Sequence, residues 1–101
     1  MGLEENMGEL KPRPGLLPPR AISEISRVLA HGAEKYQPWG WRENEAWYSD
    51  NLDALGRHVL EWLMGRREDE GSGCHPLAHA ASRILFLLEK DLEERSECDE
   101  T

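Results

Sequence analysis

The sequence predicts an all-α fold: a helical bundle of three main helices per chain, completed by homo-oligomerisation. Three observations lead there. Apolar residues recur at helical spacing in three segments, about 21–35, 50–64 and 76–92, with Pro or Gly at their junctions. The last segment is apolar nearly all round, as a central helix must be. The chain has only 101 residues, and both ends lack periodicity, so a single copy has little core of its own.

Residues 1–20 hold four of the six prolines and read as an extended arm, with Leu16 and Leu17 the residues expected to pack down. Pro18 and Pro19 lead into a first helix from Ala21 to about Lys35, with Ile22, Ile25, Val28 and Leu29 on one face. Glu24 falls in its first turn, where the positive helix end favours a carboxylate, and Gly32 weakens the last turn, so fraying is expected through His31–Tyr36. Gln37–Ser49 contains three of the four tryptophans and fits no single period. It reads as an ordered loop whose aromatics either plug the bundle or offer a flat surface for stacking a ring, with Lys35 and Arg42 nearby for anionic groups.

A second helix, Asp50–Met64, is expected to be capped by Ser49 or Asp50 and ended by Gly65. Leu52, Leu55, Val59, Trp62 and Leu63 form its core stripe, and His58 and Glu61 sit side by side on the border of that stripe. After the polar connector Arg66–Gly73, Pro76 suits the first turn of a third helix that runs to about Leu92. An acidic tail, 93–101, is expected to fray into solvent, so the folded domain spans 21–92.

The net charge of −8, from 20 acidic and 12 basic residues, argues against nucleic acid as the main partner. It leaves room for an anionic small molecule, because a bound cation inverts the local field. Cys74 and Cys98 show no C-x-x-C spacing and suggest neither a disulfide framework nor a four-cysteine zinc site. No apolar run reaches membrane-span length and no signal-peptide pattern opens the chain, so a soluble, cytoplasmic protein with no membrane partner is expected.

Arg57–Leu88 holds three of the four histidines. His75 and His79 are four residues apart and share a helical face, while His58 and Glu61 lie one turn apart on the preceding helix. A short connector makes the two helices antiparallel, so these pairs can face each other, and Asp69 and Glu68 can add oxygen ligands to a divalent-cation site. The alternative makes His75 an N-cap, His79 a hydrogen-bonded core histidine and Glu61 a solvated side chain. A zinc site from Cys74, His75 and His79 lacks a fourth ligand.

Four pieces in order, Gly32-Ala33-Glu34-Lys35-Tyr36, Trp41-Arg42, Arg57-His58 and Ser72-Gly73-Cys74-His75-Pro76-Leu77-Ala78-His79-Ala80, resemble the phage dATP/dGTP diphosphohydrolase family. That family is similar to the MazG-like all-α nucleoside triphosphate pyrophosphohydrolases, and the likeness runs from about Leu16 to Leu88. It implies hydrolysis of a purine deoxynucleoside triphosphate to the monophosphate and pyrophosphate with Mg²⁺ or Mn²⁺, in the host cytoplasm if the chain is phage-encoded; the small core calls for a homodimer or homotetramer. Where the MazG-like relatives carry two Glu/Asp metal motifs on facing helices, this chain has His58-Val59-Leu60-Glu61 and the pair His75 and His79. The family's Gly-Glu-x-x-Asp pattern becomes Gly65-Arg66-Arg67-Glu68-Asp69, with Arg66 in place of Glu. The metals' identity and number stay open on these departures. With the family as guide, His58, Glu61, Asp69, His75 and His79 are assigned to metal and Glu61 or Glu68 to orienting the attacking water. Lys35, Arg42 and Arg57 are assigned to phosphate, and Tyr36, Trp39 and Trp41 to base or sugar. Two rival readings are a catalytically silent nucleotide-binding module, with Arg66 marking a decayed site, and a helical interaction protein with a tryptophan patch.

Overall fold

A computed structural model describes residues 10–35 and 46–100, the side chains of Lys35 and 96–100 excepted. Within them lie three α-helices, α1 (Pro19–Lys35), α2 (Trp47–Leu63) and α3 (Pro76–Glu100), preceded by a short 3-10 turn at Pro14–Leu16. No strand occurs among the described residues. The all-α architecture of three main helices is therefore as the sequence predicts. Tyr36, Trp39, Trp41 and Arg42 lie outside the described residues, whereas Trp47, Tyr48 and Ser49, expected in the tryptophan loop, form the first turn of α2.

α1 begins two residues before the expected start. The Pro18 carbonyl accepts the Ile22 N–H at 3.1 Å, and Pro19 stands in the first turn, where its missing N–H leaves nothing unpaired. The earlier start moves Glu24 out of the first turn. The helix also holds together through His31 to Lys35, where fraying was expected. Leu16 and Leu17 are exposed and do not pack down in the single chain.

α2 likewise starts early, at Trp47. Ala46, not Ser49 or Asp50, is its N-cap: the Ala46 carbonyl accepts the Asp50 N–H at 2.9 Å, and the Ser49 hydroxyl donates back to the same carbonyl at 3.3 Å. The C-terminus ends at Gly65 as expected. Gly65 adopts φ 97°, its N–H bonds to Trp62 O at 2.9 Å, and the Arg66 N–H bonds to Glu61 O at 3.0 Å. This double closure is the Schellman arrangement, which a left-handed glycine permits.

α3 does not fray at Leu92 but continues to Glu100. No Gly or Pro follows Pro76, and Lys90/Glu94 and Asp91/Arg95 stand at the i, i+4 spacing that supports a solvated helix. Both α1 and α2 pack on α3 and not closely on each other, α2 more extensively, so α3 is central as its apolar circumference predicts.

The core is made of small residues. Val28, Ala54, Cys74, Ala78 and Ala80 are buried, with Ile25 packed alongside. α2 is rotated relative to the expected stripe. Asn51 and Ala54 are its buried residues; Leu55, Val59 and Trp62 of the expected stripe are partly buried, whereas Leu52 is 41% and Leu63 65% exposed. The face directed at α3 therefore runs Asn51, Ala54, His58, Glu61, one residue per turn, and carries polar groups inward.

Candidate functional site

The rotation of α2 places His58 and Glu61 against the neighbouring helix, with side chains only 13% and 22% exposed. Asp69 reaches the same point from the connector. One ligand atom from each of His58, Glu61 and Asp69 lies within 4.8 Å of the others. His58 Nδ1 is buried and has no hydrogen-bond partner among the described residues. The Glu61 Oε1 atom is 3.6 Å away, beyond hydrogen-bond reach. An orphaned imidazole nitrogen beside the Glu61 carboxylate, with Asp69 in the same group, is a donor set that fits a divalent cation.

The connector shapes Asp69 for this position. Its Oδ2 accepts the N–H groups of Gly71 and Ser72, each at 3.0 Å, an Asx-type turn that fixes the carboxylate. The loop is closed by Asp69 N–H to Cys74 O at 2.7 Å and Gly73 N–H to Asp69 O at 2.8 Å. Partial burial works to raise the Asp69 carboxyl, but the Ser72 and Gly71 donors and the His79 and His58 imidazoles outweigh it and hold it below the ordinary 3.8.

His79 has a different place from the one expected. Its ring stacks on His58, with centroids 4.6 Å apart and planes at 22°. Its Nε2 lies 2.6 Å from Ser72 Oγ and 3.8 Å from Asp69 Oδ2. The same Ser72 Oγ accepts the Cys74 N–H at 3.1 Å. His79 thus borders the three-residue group and is not one of its members. Burial lowers the pKa of both imidazoles first; each then feels the other cation-capable groups nearby, Arg83 included, against the opposing pull of Glu61 and Asp69.

His75 is also outside the group. It caps α3: its Nδ1 accepts the Leu77 N–H at 3.0 Å, and its own N–H donates to Glu24 Oε2 at 2.9 Å. His75 precedes Pro76, so the i, i+4 argument that paired it with His79 fails: it is not yet in the helix. Glu68 is exposed on the connector and Arg57 on α2, neither in the group. Arg66 is turned to the surface, 3.8 Å from Glu70, so this cation does not occupy the ligand position.

Three contributors went unassigned at the level of sequence. Glu24 joins α1 to the start of α3 and also pairs with Arg27 at 3.0 Å. Ser72 links Asp69 and His79. Arg83 donates to the buried Asn51 Oδ1 at 3.1 Å, tying α3 to α2 beside the imidazole stack. Ser72 sat inside a recognisable motif; the other two contacts span 51 and 32 residues, and no local pattern announces them.

Residues 2–100 match the family model described as dATP/dGTP diphosphohydrolase, N-terminal. Over 73 residues, 72% of this chain, the sequence is 40% identical to a dATP/dGTP diphosphohydrolase of Salmonella phage PMBT28. The chain spans about a quarter of that relative's length, 24%. No solved structure matches.

Proposed function

Because the chain belongs to the dATP/dGTP diphosphohydrolase family, matching its N-terminal part, we propose that it hydrolyses purine deoxynucleoside triphosphates, dATP and dGTP, to the monophosphate and pyrophosphate. The observation that carries this reading is the convergence of His58, Glu61 and Asp69 on one point, with His58 Nδ1 left without a partner among the described residues. These three residues would hold the cation, Mg²⁺ or Mn²⁺.

A bound cation supplies the positive charge that an acidic protein needs to receive a triphosphate and to release pyrophosphate. The chain's own residues do the rest. Water attacks the α-phosphorus and the bridge to the β-phosphate breaks. Glu61, largely buried and 3.6 Å from His58 Nδ1, takes the proton of that water in preference to the exposed Glu68. His79 and Ser72 hold His58 and Asp69 in place from behind. His75 supports the site through the α3 cap. Lys35, Arg42 and Arg57 are the candidates for phosphate, and Tyr36, Trp39 and Trp41 for base or sugar.

The same reading takes the active form to be a homodimer or homotetramer in the host cytoplasm. Supporting the oligomer, Leu60, Leu63, Ile84, Leu88 and Leu92 on α2 and α3 are each half or more exposed in the single chain, the last three at i, i+4 spacing along one face of α3. No helix among the described residues is long and apolar enough to cross a membrane.

The deciding experiment incubates the protein with each common nucleotide and Mg²⁺ or Mn²⁺, then separates mono-, di- and pyrophosphate products. Release of pyrophosphate from dATP or dGTP, dependent on the cation, is expected. Formation of dADP, or thermal stabilisation by dGTP without turnover, would reject hydrolysis to the monophosphate.

A further inference from the structure

The continuation of α1 to Lys35 has a chemical consequence. Arg27, Ala30, His31 and Glu34 recur at helical spacing on one face, and together with Ser72 and Cys74 of the connector they line an open cleft of about 260 Å³. Ser72 is shared. On one side it lines the cleft, and on the other its hydroxyl contacts His79 Nε2 and Asp69 Oδ2, at 2.6 and 3.4 Å. The cleft therefore adjoins the candidate metal group across a single residue.

Size and lining narrow the occupant. Whole small-molecule sites run to roughly 300–1,000 Å³, so this cleft receives one part of a ligand. A phosphate would lie against the Glu34 carboxylate and be repelled. A deoxyribose offers too few polar groups to use both a carboxylate and two donors. A nucleobase edge, which alternates donors and acceptors, matches a lining of Glu34 as acceptor with Arg27 and His31 as donors. Guanine presents its ring N–H and exocyclic amine side by side, so an ionised carboxylate takes both at once. Adenine sets one donor beside a ring acceptor, which a carboxylate repels.

We propose that the cleft between α1 and the connector binds the base edge of a guanine deoxynucleotide, with Glu34 as the specificity-determining acceptor. This inference rests on the nucleotide-hydrolase reading above and adds a base preference to it. Arg27, anchored by its 3.0 Å pair with Glu24, and His31 face the carbonyl side of the base.

The test compares kcat/KM for dGTP, dITP and dATP in the wild-type protein and in Glu34→Gln. dITP lacks only the exocyclic amine. The wild type is expected to favour dGTP over dITP by on the order of tenfold, the discrimination of one good bidentate pair, and dGTP over dATP by at least as much. Glu34→Gln, a solvent-side change on a helix, brings the dGTP/dITP ratio to within about twofold of unity. Binding of the monophosphates dGMP and dIMP with Mg²⁺, followed by NMR shifts of the Glu34, His31 and Ser72 amides, supplies a readout that needs no turnover. Equal ratios in wild type and variant, or dGMP shifts that miss these amides, would overturn the cleft assignment. If no nucleotide is hydrolysed but dGMP still outcompetes dIMP here, the hydrolase reading fails and the cleft assignment stands.

Discussion

The imidazoles of His58 and His79, one from α2 and one from α3, lie ring on ring with centroids 4.6 Å apart. Burial penalises charge on each ring, the neighbouring His79 adds to this for His58, and Arg83 and His31 add to it for His79, so both pKa values fall below the ordinary 6.5. This contact ties α3 to the helix that carries His58 and Glu61, and it makes the helix pair sensitive to acid.

The sign follows from linkage. The unfolded chain binds protons on these histidines at about 6.5, and the folded chain only below that, so folding is favoured at higher pH. Their contribution is fully present above 6.5 and is lost as pH falls through the lower folded values. Thermal midpoints measured without metal should therefore decline as pH drops from 7 towards 5. His79→Phe, which keeps a ring over His58 but cannot titrate, should flatten that decline. An equal decline in the variant would remove the stack as its cause.

Divalent metal should stabilise the fold. A ligand that binds only the native state, at a free concentration 100 times its Kd, contributes about 2.7 kcal/mol. For a domain of this size that is roughly 10 °C or more in Tm. Mn²⁺ should raise the midpoint, chelator should reverse it, and His58→Ala or Asp69→Asn should abolish the shift. His75→Ala, outside the group, should lower the starting midpoint through the lost cap yet keep the Mn²⁺ response. An unchanged response in His58→Ala would refute the ligand set.

Glu24 should report on the start of α3. Its carboxylate accepts the His75 N–H, which is the leading cause of its lowered pKa, ahead of the opposing effect of burial and the nearby Arg27 charge. A depressed carboxyl contributes stability above its unfolded value of 4.5 and loses it as pH falls through the folded one. Glu24→Ala should lower the midpoint at pH 7 and speed hydrogen exchange at the His75 amide, and the wild-type advantage should shrink in acid. A His75 amide equally protected in both proteins would mean that the cap does not form.

Two glycines should respond to alanine with opposite signs. Gly65 has φ 97° and open space around a built Cβ, so Gly65→Ala should cost about 1–2 kcal/mol through the backbone alone. Gly32 lies inside α1 with equally open space, and Gly32→Ala should add about 0.5–1 kcal/mol. Urea unfolding separates the two. A stabilising Gly65→Ala would contradict the Schellman end of α2.

Self-association is the remaining prediction. Sedimentation should give a dimer or tetramer, and Leu63→Lys or Leu88→Lys, both on exposed leucines, should shift it towards monomer while far-UV helicity is largely kept. A monomeric wild type would leave those leucines without a copy to cover them.

Much of this architecture is legible in the chain itself. Helical periodicity, the Pro18–Pro19 entry, the Gly65 stop and the Pro76 start identify three helices because they act within a few residues. His58 and Glu61, one turn apart, are readable as a pair for the same reason. The rotation of α2 is not readable. Its leucine stripe is the stronger hydropathy signal, yet the single chain turns Asn51, Ala54 and His58 inward and leaves Leu52 and Leu63 in solvent. The end of α3 was obscured because charged residues resemble a solvated tail, although a helix can continue with both faces wet.

What the sequence determined alone is the set of helices, the order of the polar residues along them, and the family to which they belong. Only the tertiary structure decided which of those residues meet. Spacing offers His75 and His79 as equals, but the helix begins after His75, so one imidazole becomes a backbone cap and the other a stacked neighbour. Asp69 joins His58 and Glu61 because loop hydrogen bonds turn its carboxylate back towards α2. Such convergence depends on contacts between distant segments, whose relative rotation no local periodicity encodes.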